Sequence, residues 1–201
     1  MVNVLITFDN DPLTDLHDFF ESCADEVKQS CIDNGINYSS LFPPEMNAQK
    51  VIDAMLSHNI CVISGHGDSY GIYNENKEDV VSTRTTNYNF EGKGFYSIAC
   101  SCAQNLLPHL RSLGLLFFVG CEDTFRVRGD REPFVICAIS GLKSFLSGNN
   151  IKQAKEIMFN TYDEQIEALD QIDPMAAKEL LHFKESLVFE GGDHLVINNL
   201  K

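Results

Sequence analysis

A histidine and a cysteine each stand directly after an apolar run in this chain. His66 lies in the segment ICVISGHG (60–67), and Cys100 ends the segment FYSIAC (95–100). An imidazole can take the proton of a thiol, and the resulting thiolate is a strong nucleophile. If the two runs are neighbouring parallel strands, both side chains reach the same edge of a sheet. The spacing therefore predicts a Cys–His catalytic dyad.

The glycines on either side of His66 extend this interpretation. They let the backbone turn sharply and approach a ligand closely, and the N–H of Gly67 would be available as a donor to an oxyanion. Each motif alone is more often structural, since a lone His-Gly is commonly a turn and a buried cysteine packs like a small hydrophobe. It is the presence of both, each after a short apolar run, that favours the dyad.

Two other uses of the same residues compete with the dyad. His66, Cys100, Cys102 and His109 would together make a zinc site, although Cys-x-Cys is not the usual spacing of zinc ligands. Cys100 and Cys102 would make a redox pair, although redox motifs are usually Cys-x-x-Cys. Cys102 also competes as nucleophile. We favour Cys100, because it directly ends the apolar run and follows Ala99.

The elements that must position these residues alternate between strand and helix patterns. Strands are predicted at 4–7, 36–41, 60–64, 95–99, 115–119, 187–189 and 195–197, and helices at 16–31, 48–55, 106–113, 133–146, 151–169 and from Asp173-Pro174 onward. The polar residues 68–93 predict a surface hairpin or a mobile loop. This alternation predicts one α/β domain over residues 1–201, with a mostly parallel sheet that carries ligands at the carboxyl ends of its strands.

Composition limits the partners of the chain. It has 201 residues, a formal net charge of −14 and no long cluster of Lys or Arg, which argues against nucleic acid and anionic membranes. Seven cysteines, several inside apolar runs, are typical of free thiols in a reducing compartment. The apolar start lacks a basic segment and is too short for a signal peptide. These features predict a cytoplasmic protein.

The two motifs resemble those of the caspase-like cysteine peptidases, which include caspases, legumains, gingipains, clostripains and CHAT-domain proteases. The shared signature is a strand ending in His-Gly and a later strand ending in a small or polar residue and Cys, matched here at 61–67 and 95–100. The separation of 100 − 66 = 34 residues looks more like gingipains than caspases. Residues 103–120 and 187–195 are also similar to CHAT and gingipain segments, except that His194 replaces a proline.

The resemblance also has departures. The caspase motif Gln-Ala-Cys-Arg-Gly is reduced to Ala99-Cys100. Gingipains are secreted, whereas this sequence shows no export signal.

The resemblance implies a caspase-like three-layer sandwich with cysteine endopeptidase activity. Cys100 would attack the peptide carbonyl, His66 would protonate the leaving amine, and the N–H groups of Gly67 and Cys100 would stabilise the oxyanion. Water would then hydrolyse the thioester acyl-enzyme, without a metal or organic cofactor. The expected partners are a peptide or protein substrate and a regulatory protein, since a cytoplasmic protease must be restrained.

Substrate preference is expected from acids that follow the predicted strands. Gingipains and clostripains hold a basic side chain with an acidic residue, and Asp9, Asp11, Glu122 or Asp123 would do so here. The alternative for each acid is a solvated surface carboxylate. The alternative for the whole chain is a catalytically silent caspase-like binding or regulatory module. A doubly wound domain that binds a small ligand is less favoured, because neither Gly-x-Gly-x-x-Gly nor a Walker pattern is present.

Overall fold

The computed structural model describes residues 2–201 and contains a six-stranded and a three-stranded sheet. The strands are β1 (Asn3–Phe8), β2 (Asn37–Leu41), β3 (Ile60–Ser64), β4 (His66–Asp68), β5 (Gly71–Tyr73), β6 (Asp79–Ser82), β7 (Gly94–Ile98), β8 (Phe117–Cys121) and β9 (Leu187–Gly191). The large sheet has the order β2-β1-β3-β7-β8-β9, in which only β9 runs antiparallel to its neighbour. The small sheet, β4-β5-β6, is antiparallel.

Residues 2–201 also contain six α-helices and a short 3₁₀ helix. They are α1 (His17–Asp33), α2 (Ala48–Ala54), α3 (Leu106–Ser112), α4 (Glu132–Leu146), α5 (Ile151–Asp170) and α6 (Pro174–Ser186), with the 3₁₀ helix at Ile197–Asn199. In this part of the chain, no helix combines the length and the apolar character needed to cross a membrane.

Alternate residues of the large sheet build two separate cores. In β1, Val4 and Ile6 pack with buried residues of α1, α4, α5 and α6, whereas Leu5 packs with α2, α3 and the small sheet. Successive side chains of a strand point to opposite faces, and a parallel sheet buried on both faces needs apolar residues at nearly every position. The predicted α/β sandwich with helices on both faces is therefore confirmed.

The helix ends follow the sequence signals. Gly35, just past α1, has φ +64° and donates its N–H to the carbonyl of Ile32 (3.1 Å). Asp173 accepts the N–H of Ala176 (3.0 Å) and Pro174 begins α6. A side-chain cap such as that of Asp173 contributes about 1 kcal/mol. The predicted ends at these two positions are correct.

Two predicted strands differ from the structure. The predicted strand at 115–119 instead spans Phe117–Cys121, because the N–H of Leu115 caps α3 through the carbonyl of Leu110 (3.3 Å). The predicted strand at 195–197 is wrong. The carbonyl of Leu195 accepts the N–H of Ile151 (3.0 Å). This segment therefore supplies a hydrogen-bond acceptor to the first turn of α5 instead of pairing with a strand.

Residues 68–93 form more structure than the predicted hairpin or loop. They complete β4 and supply β5 and β6. Ile72, Val80 and Phe90 are fully buried against the sheet. The polar composition hid this because few apolar residues are needed to fix a small sheet on a large one.

Candidate active site

His66 is the first residue of β4, where the chain leaves the large sheet. The N–H of Gly65 donates to the carbonyl of Ile98 (3.2 Å), so pairing with the β7 segment continues one step past β3. The His66 ring is half-buried. It meets the Phe20 ring edge to face (5.6 Å between centroids) and stacks on the Tyr73 ring (6.3 Å, 17° between planes). Two aromatic contacts thus fix the plane of the imidazole.

Cys100 lies just past β7, in a turn that the following residue strains. Ser101 has φ +54°, a left-handed conformation that non-glycine residues rarely adopt. Its N–H is fixed by the carbonyl of Asp123 (3.1 Å). Among residues 2–201, nothing accepts a hydrogen bond from the Cys100 N–H. A strained turn with a free backbone donor is typical of functional sites.

The two motifs meet through Gly67. A Cβ atom on Gly67 would lie 2.8 Å from the carbonyl oxygen of Cys100 and 3.0 Å from the Cβ of Ala99. These separations are shorter than van der Waals contact, so only glycine fits without displacing the cysteine turn. The structure therefore brings the His-Gly segment and the Ala-Cys segment together at one edge of the sheet, as adjacent β3 and β7 require.

Exposure separates Cys100 from the other thiols. All seven cysteines lie within residues 2–201, and Cys100 alone among them is not buried. Its Sγ lies 3.8 Å from the carbonyl oxygen of Phe125, a weak contact that leaves the sulfur partly open. Cys100 is consequently the thiol that a reagent or substrate can reach.

Cys102 has a structural environment. Its Sγ donates to the hydroxyl of Ser97 (3.2 Å) or the carbonyl of Ala99 (3.4 Å), and burial raises its pKa to about 11. A buried thiol with so high a pKa is a poor nucleophile at neutral pH. The structure thus removes the basis for a competing nucleophile at Cys102.

The residues considered for zinc are engaged elsewhere. The Nε2 atom of His109 lies 2.9 Å from the carbonyl oxygen of Thr85, and Cys102 points into the core. Across residues 2–201, no three His, Cys, Asp or Glu side chains are grouped as metal ligands would be. These residues do not form the convergent N and S ligand set of a zinc site.

Both groups of the candidate dyad are shifted toward their neutral forms. Burial lowers the pKa of His66, with a further contribution from the Lys77 cation, whereas Asp9 and Asp15 oppose the shift. Burial also raises the pKa of the Cys100 thiol above its usual 9.0, and the Asp123 carboxylate adds to the rise. Both shifts favour a thiol and a neutral imidazole over an ion pair.

The four acids expected at the strand ends occupy different environments. Asp9 is fully buried, and its carboxylate accepts the N–H of Asp11 (3.1 Å) and the hydroxyl of Thr14 (3.3 Å). These contacts favour a role in supporting the loop beside His66 over contact with a substrate.

A cavity of about 400 Å³ opens beside His66. Asp11 lines it, together with Asp15, Glu75 and Lys77. The sequence interpretation missed Asp15 and Glu75, since neither directly follows a strand of the large sheet. Of the acids expected at strand ends, Asp11 is the one that lines this cavity.

Glu122 and Asp123 line a second cavity of about 510 Å³ on the Cys100 side, with His182 and Glu185. Both acids are exposed, and they flank the turn that holds Cys100. The four acids are thus divided between two cavities and one buried position, rather than gathered around one subsite.

Comparisons with known proteins show the fold and nothing finer. No family model matches the chain, and no curated protein matches it in sequence. Among solved structures, the Arg-specific cysteine proteinase gingipain R aligns with 98% of this chain at a TM-score of 0.70 and 11% identity. A complex of the pro- and mature domains of RgpB from Porphyromonas gingivalis aligns with 100% of it at a TM-score of 0.66 and 13% identity.

The aligned region is only part of those proteins. This chain spans 48% and 49% of the two matched chains, so it corresponds to about half of their length. At such low identity, the likeness is one of backbone architecture and carries no residue roles with it. The chain has the caspase-like fold of the gingipain cysteine proteinases.

Proposed function

We propose that this chain is a cysteine endopeptidase with Cys100 as nucleophile and His66 as general acid and base. The observation that carries the proposal is the close approach of Gly67 to the carbonyl of Cys100, which leaves no room for a side chain and joins the two motifs. Because Cys100 is also the accessible thiol, the nucleophile, the imidazole and a free backbone donor share one edge of the sheet. The fold, which is that of cysteine proteinases, supports the same reaction class.

The proposed reaction has two halves. In the first, the Cys100 proton passes to His66 while sulfur bonds to the peptide carbonyl carbon, and the negative charge moves to the carbonyl oxygen. The N–H groups of Cys100 and Gly67 would hold that oxygen. The C–N bond then breaks, and the amine leaves with the proton from His66.

The second half releases the acyl group. Water gives a proton to His66 and bonds to the thioester carbon, after which the C–S bond breaks. The sulfur recovers the proton, so that the thiol and the neutral imidazole are restored. No metal or organic cofactor takes part in these steps.

We propose a preference for a basic residue before the scissile bond. Support comes from the cavity beside His66, which three carboxylates line: Asp11, Asp15 and Glu75. Within the described residues, the Oε2 atom of Glu75 is buried without a hydrogen-bond partner. An unpaired buried carboxylate oxygen is costly, and a cationic side chain would remove that cost.

A peptide library tests the activity and the preference together. The expected result is cleavage after Arg or Lys by the natural chain and none by Cys100→Ala. Cleavage by Cys100→Ala at the same rate would assign the activity to a contaminant and end the proposal. Cleavage only after acidic or apolar residues would remove the basic preference and leave the mechanism standing.

A catalytically silent binding or regulatory module is the second candidate. It is favoured by the direction of both pKa shifts, since a neutral thiol is a weaker nucleophile than a thiolate. Thiol reactivity separates the two candidates. If iodoacetamide modifies Cys100 while no peptide is cut and no peptide electrophile reacts, the fold is used here for binding.

The proposed setting is the cytoplasm, where a protease needs restraint. The matched RgpB structure contains a pro-domain with the mature domain. By analogy, we propose that a regulatory protein or segment covers the His66–Cys100 edge until a trigger removes it. Purified chain that cleaves peptides at full rate, unaffected by any added cell extract, would contradict this part.

A further inference from the structure

One cation lies at the wall of the acidic cavity beside His66. Lys77 occupies the turn between β5 and β6 and has φ +63°, a left-handed conformation for a residue with a long side chain. The turn is held from below by Asn74, which is 3% exposed. The Asn74 side chain accepts the N–H groups of Asn76 (3.0 Å) and Glu78 (3.1 Å). The position of Lys77 is therefore fixed by its turn.

The ammonium of Lys77 rests on an aromatic ring that also contacts the imidazole. Its Nζ lies 4.7 Å from the Tyr73 ring centroid, and the Tyr73 ring stacks on His66. A cation over an aromatic face at this distance is attracted by the π electrons. The three side chains thus form a continuous wall from the turn to the candidate dyad.

Lys77 forms no direct ion pair with the acids around it. No carboxylate within residues 2–201 lies within 4.0 Å of its Nζ, although Asp11, Asp15 and Glu75 line the same cavity. Asn76, not Lys77, donates to the Oε1 atom of Glu75 (2.8 Å). The cavity therefore holds three acids and one cation that does not neutralise any of them directly.

We infer that Lys77 is a specificity-determining residue of this cavity, whose ammonium opposes the binding of a positively charged substrate side chain that the three carboxylates attract. The inference rests on the proposed function, because it takes this cavity to be a substrate subsite. A cationic side chain must displace Lys77 from Tyr73 or bind against its charge. Removing the charge would strengthen cation binding.

The pKa of His66 also depends on the charge of Lys77. His66 is faced by Asp9 after β1, Asp15 before α1, Tyr73 on β5, Lys77 on the adjoining turn and the Cys100 turn after β7. Phe20 of α1 supplies no charge. With Lys77 neutralised, burial alone still lowers the His66 pKa, so the carboxylates should raise that pKa above its value in the natural chain.

The test uses the full chain and two readouts that need no catalysis. The first is the His66 pKa from NMR titration. The second is the affinity for N-acetyl-arginine amide, with N-acetyl-methionine amide as the neutral comparison. In Lys77→Met we expect a higher His66 pKa and about threefold tighter binding of the arginine probe, as removal of one exposed charge allows. Lys77→Gly, which also suits the left-handed turn, should give the same changes if Lys77→Met folds poorly.

Matched variants separate charge from shape. Lys77→Arg keeps the charge, and Lys50→Met removes a lysine of α2 that instead pairs with Glu45 (2.8 Å) and does not line this cavity. Both should behave like the natural chain. Unchanged pKa and affinity in Lys77→Met and Lys77→Gly would overturn the inference, as would equal changes in Lys77→Arg. Neither readout depends on peptide cleavage, so failure of the protease proposal remains a separate result.

Discussion

The interior of strands β3 and β7 differs sharply from the edge at which they end. Inside, Cys61 is fully buried and burial raises its pKa to about 12. At the edge, Cys100 is partly exposed, its N–H lacks a partner among the described residues, and Ser101 is strained. Cysteine thus serves as a packing group inside β3 and as an accessible thiol just past the end of the neighbouring strand β7.

The difference between the strand interior and the strand edge shows where the chain gives up close packing and hydrogen bonding. A strand interior fills space and satisfies its polar atoms, which stabilises the fold. The edge leaves a donor free and places a glycine where any side chain would collide with Cys100. Departures of this kind concentrate at functional sites.

The largest expected effect contrasts two cysteines two residues apart. Cys100→Ala should abolish hydrolysis of a fluorogenic peptide ending in arginine while leaving the melting temperature nearly unchanged. Cys102→Ala should retain hydrolysis but cost about 1–2 kcal/mol of unfolding free energy, because it empties a buried position. Denaturant unfolding and initial rates measure both. If Cys102→Ala lost hydrolysis while Cys100→Ala remained active, Cys102 and not Cys100 would be the nucleophile.

The next effect concerns the contact between the motifs. In Gly67→Ala, the added methyl group must push the Cys100 turn away, and misplacement of reacting groups by about 1 Å can cost about 100-fold in rate. Gly192→Ala is the matched control, since an added Cβ there meets no atom within 4 Å. Equal rates in the two variants would show that close approach at Gly67 is not required.

The third effect is the pH dependence of thiol reactivity. Because the pKa of Cys100 lies above 9.0 in the folded chain, its thiolate fraction is small at pH 7. The rate of alkylation by iodoacetamide should rise about tenfold from pH 7 to 8 and should continue to rise to pH 9 without reaching a plateau. A plateau below pH 8 would mean that the edge activates the thiol more than its burial suggests.

The smallest effect isolates one neighbouring charge. Asp123→Asn removes a carboxylate that raises the Cys100 pKa, so alkylation at pH 7 should become about twofold faster, a modest change because Asp123 is exposed. The asparagine still offers an oxygen to the N–H of Thr124. Asp25→Asn, on the exposed face of α1, should leave the rate unchanged. Slower alkylation of Asp123→Asn would contradict the conclusion that Asp123 raises the pKa of Cys100.

The sequence was informative where patterns are local. The apolar runs placed β1, β3 and β7, and Gly35 and Asp173-Pro174 placed helix ends. Adjacent parallel strands then sufficed to bring His66 and Cys100 to one edge. The organisation as one domain over 1–201 stays a prediction.

What the sequence did not show depends on contacts distant in the chain. The segment at 195–197 looks like a strand, but its carbonyls serve the start of α5. The wall of the site around His66 comes from Phe20 and Tyr73, which local patterns do not connect. The alternation of polar and apolar residues at 70–73 was the sequence signal that could have placed Tyr73 on a strand. Asp15 and Glu75 join one cavity only after the small sheet has folded onto the large one.

The most direct test of the central claim is mapping of a peptide acyloxymethyl ketone that ends in arginine. Such a probe needs a nucleophilic thiol and a general acid in one site. The account predicts a single adduct on Cys100, formed about 100-fold more slowly in His66→Asn, while iodoacetamide alkylates both chains at similar rates. Adducts spread over several cysteines, or an undiminished rate in His66→Asn, would contradict a dyad of Cys100 and His66.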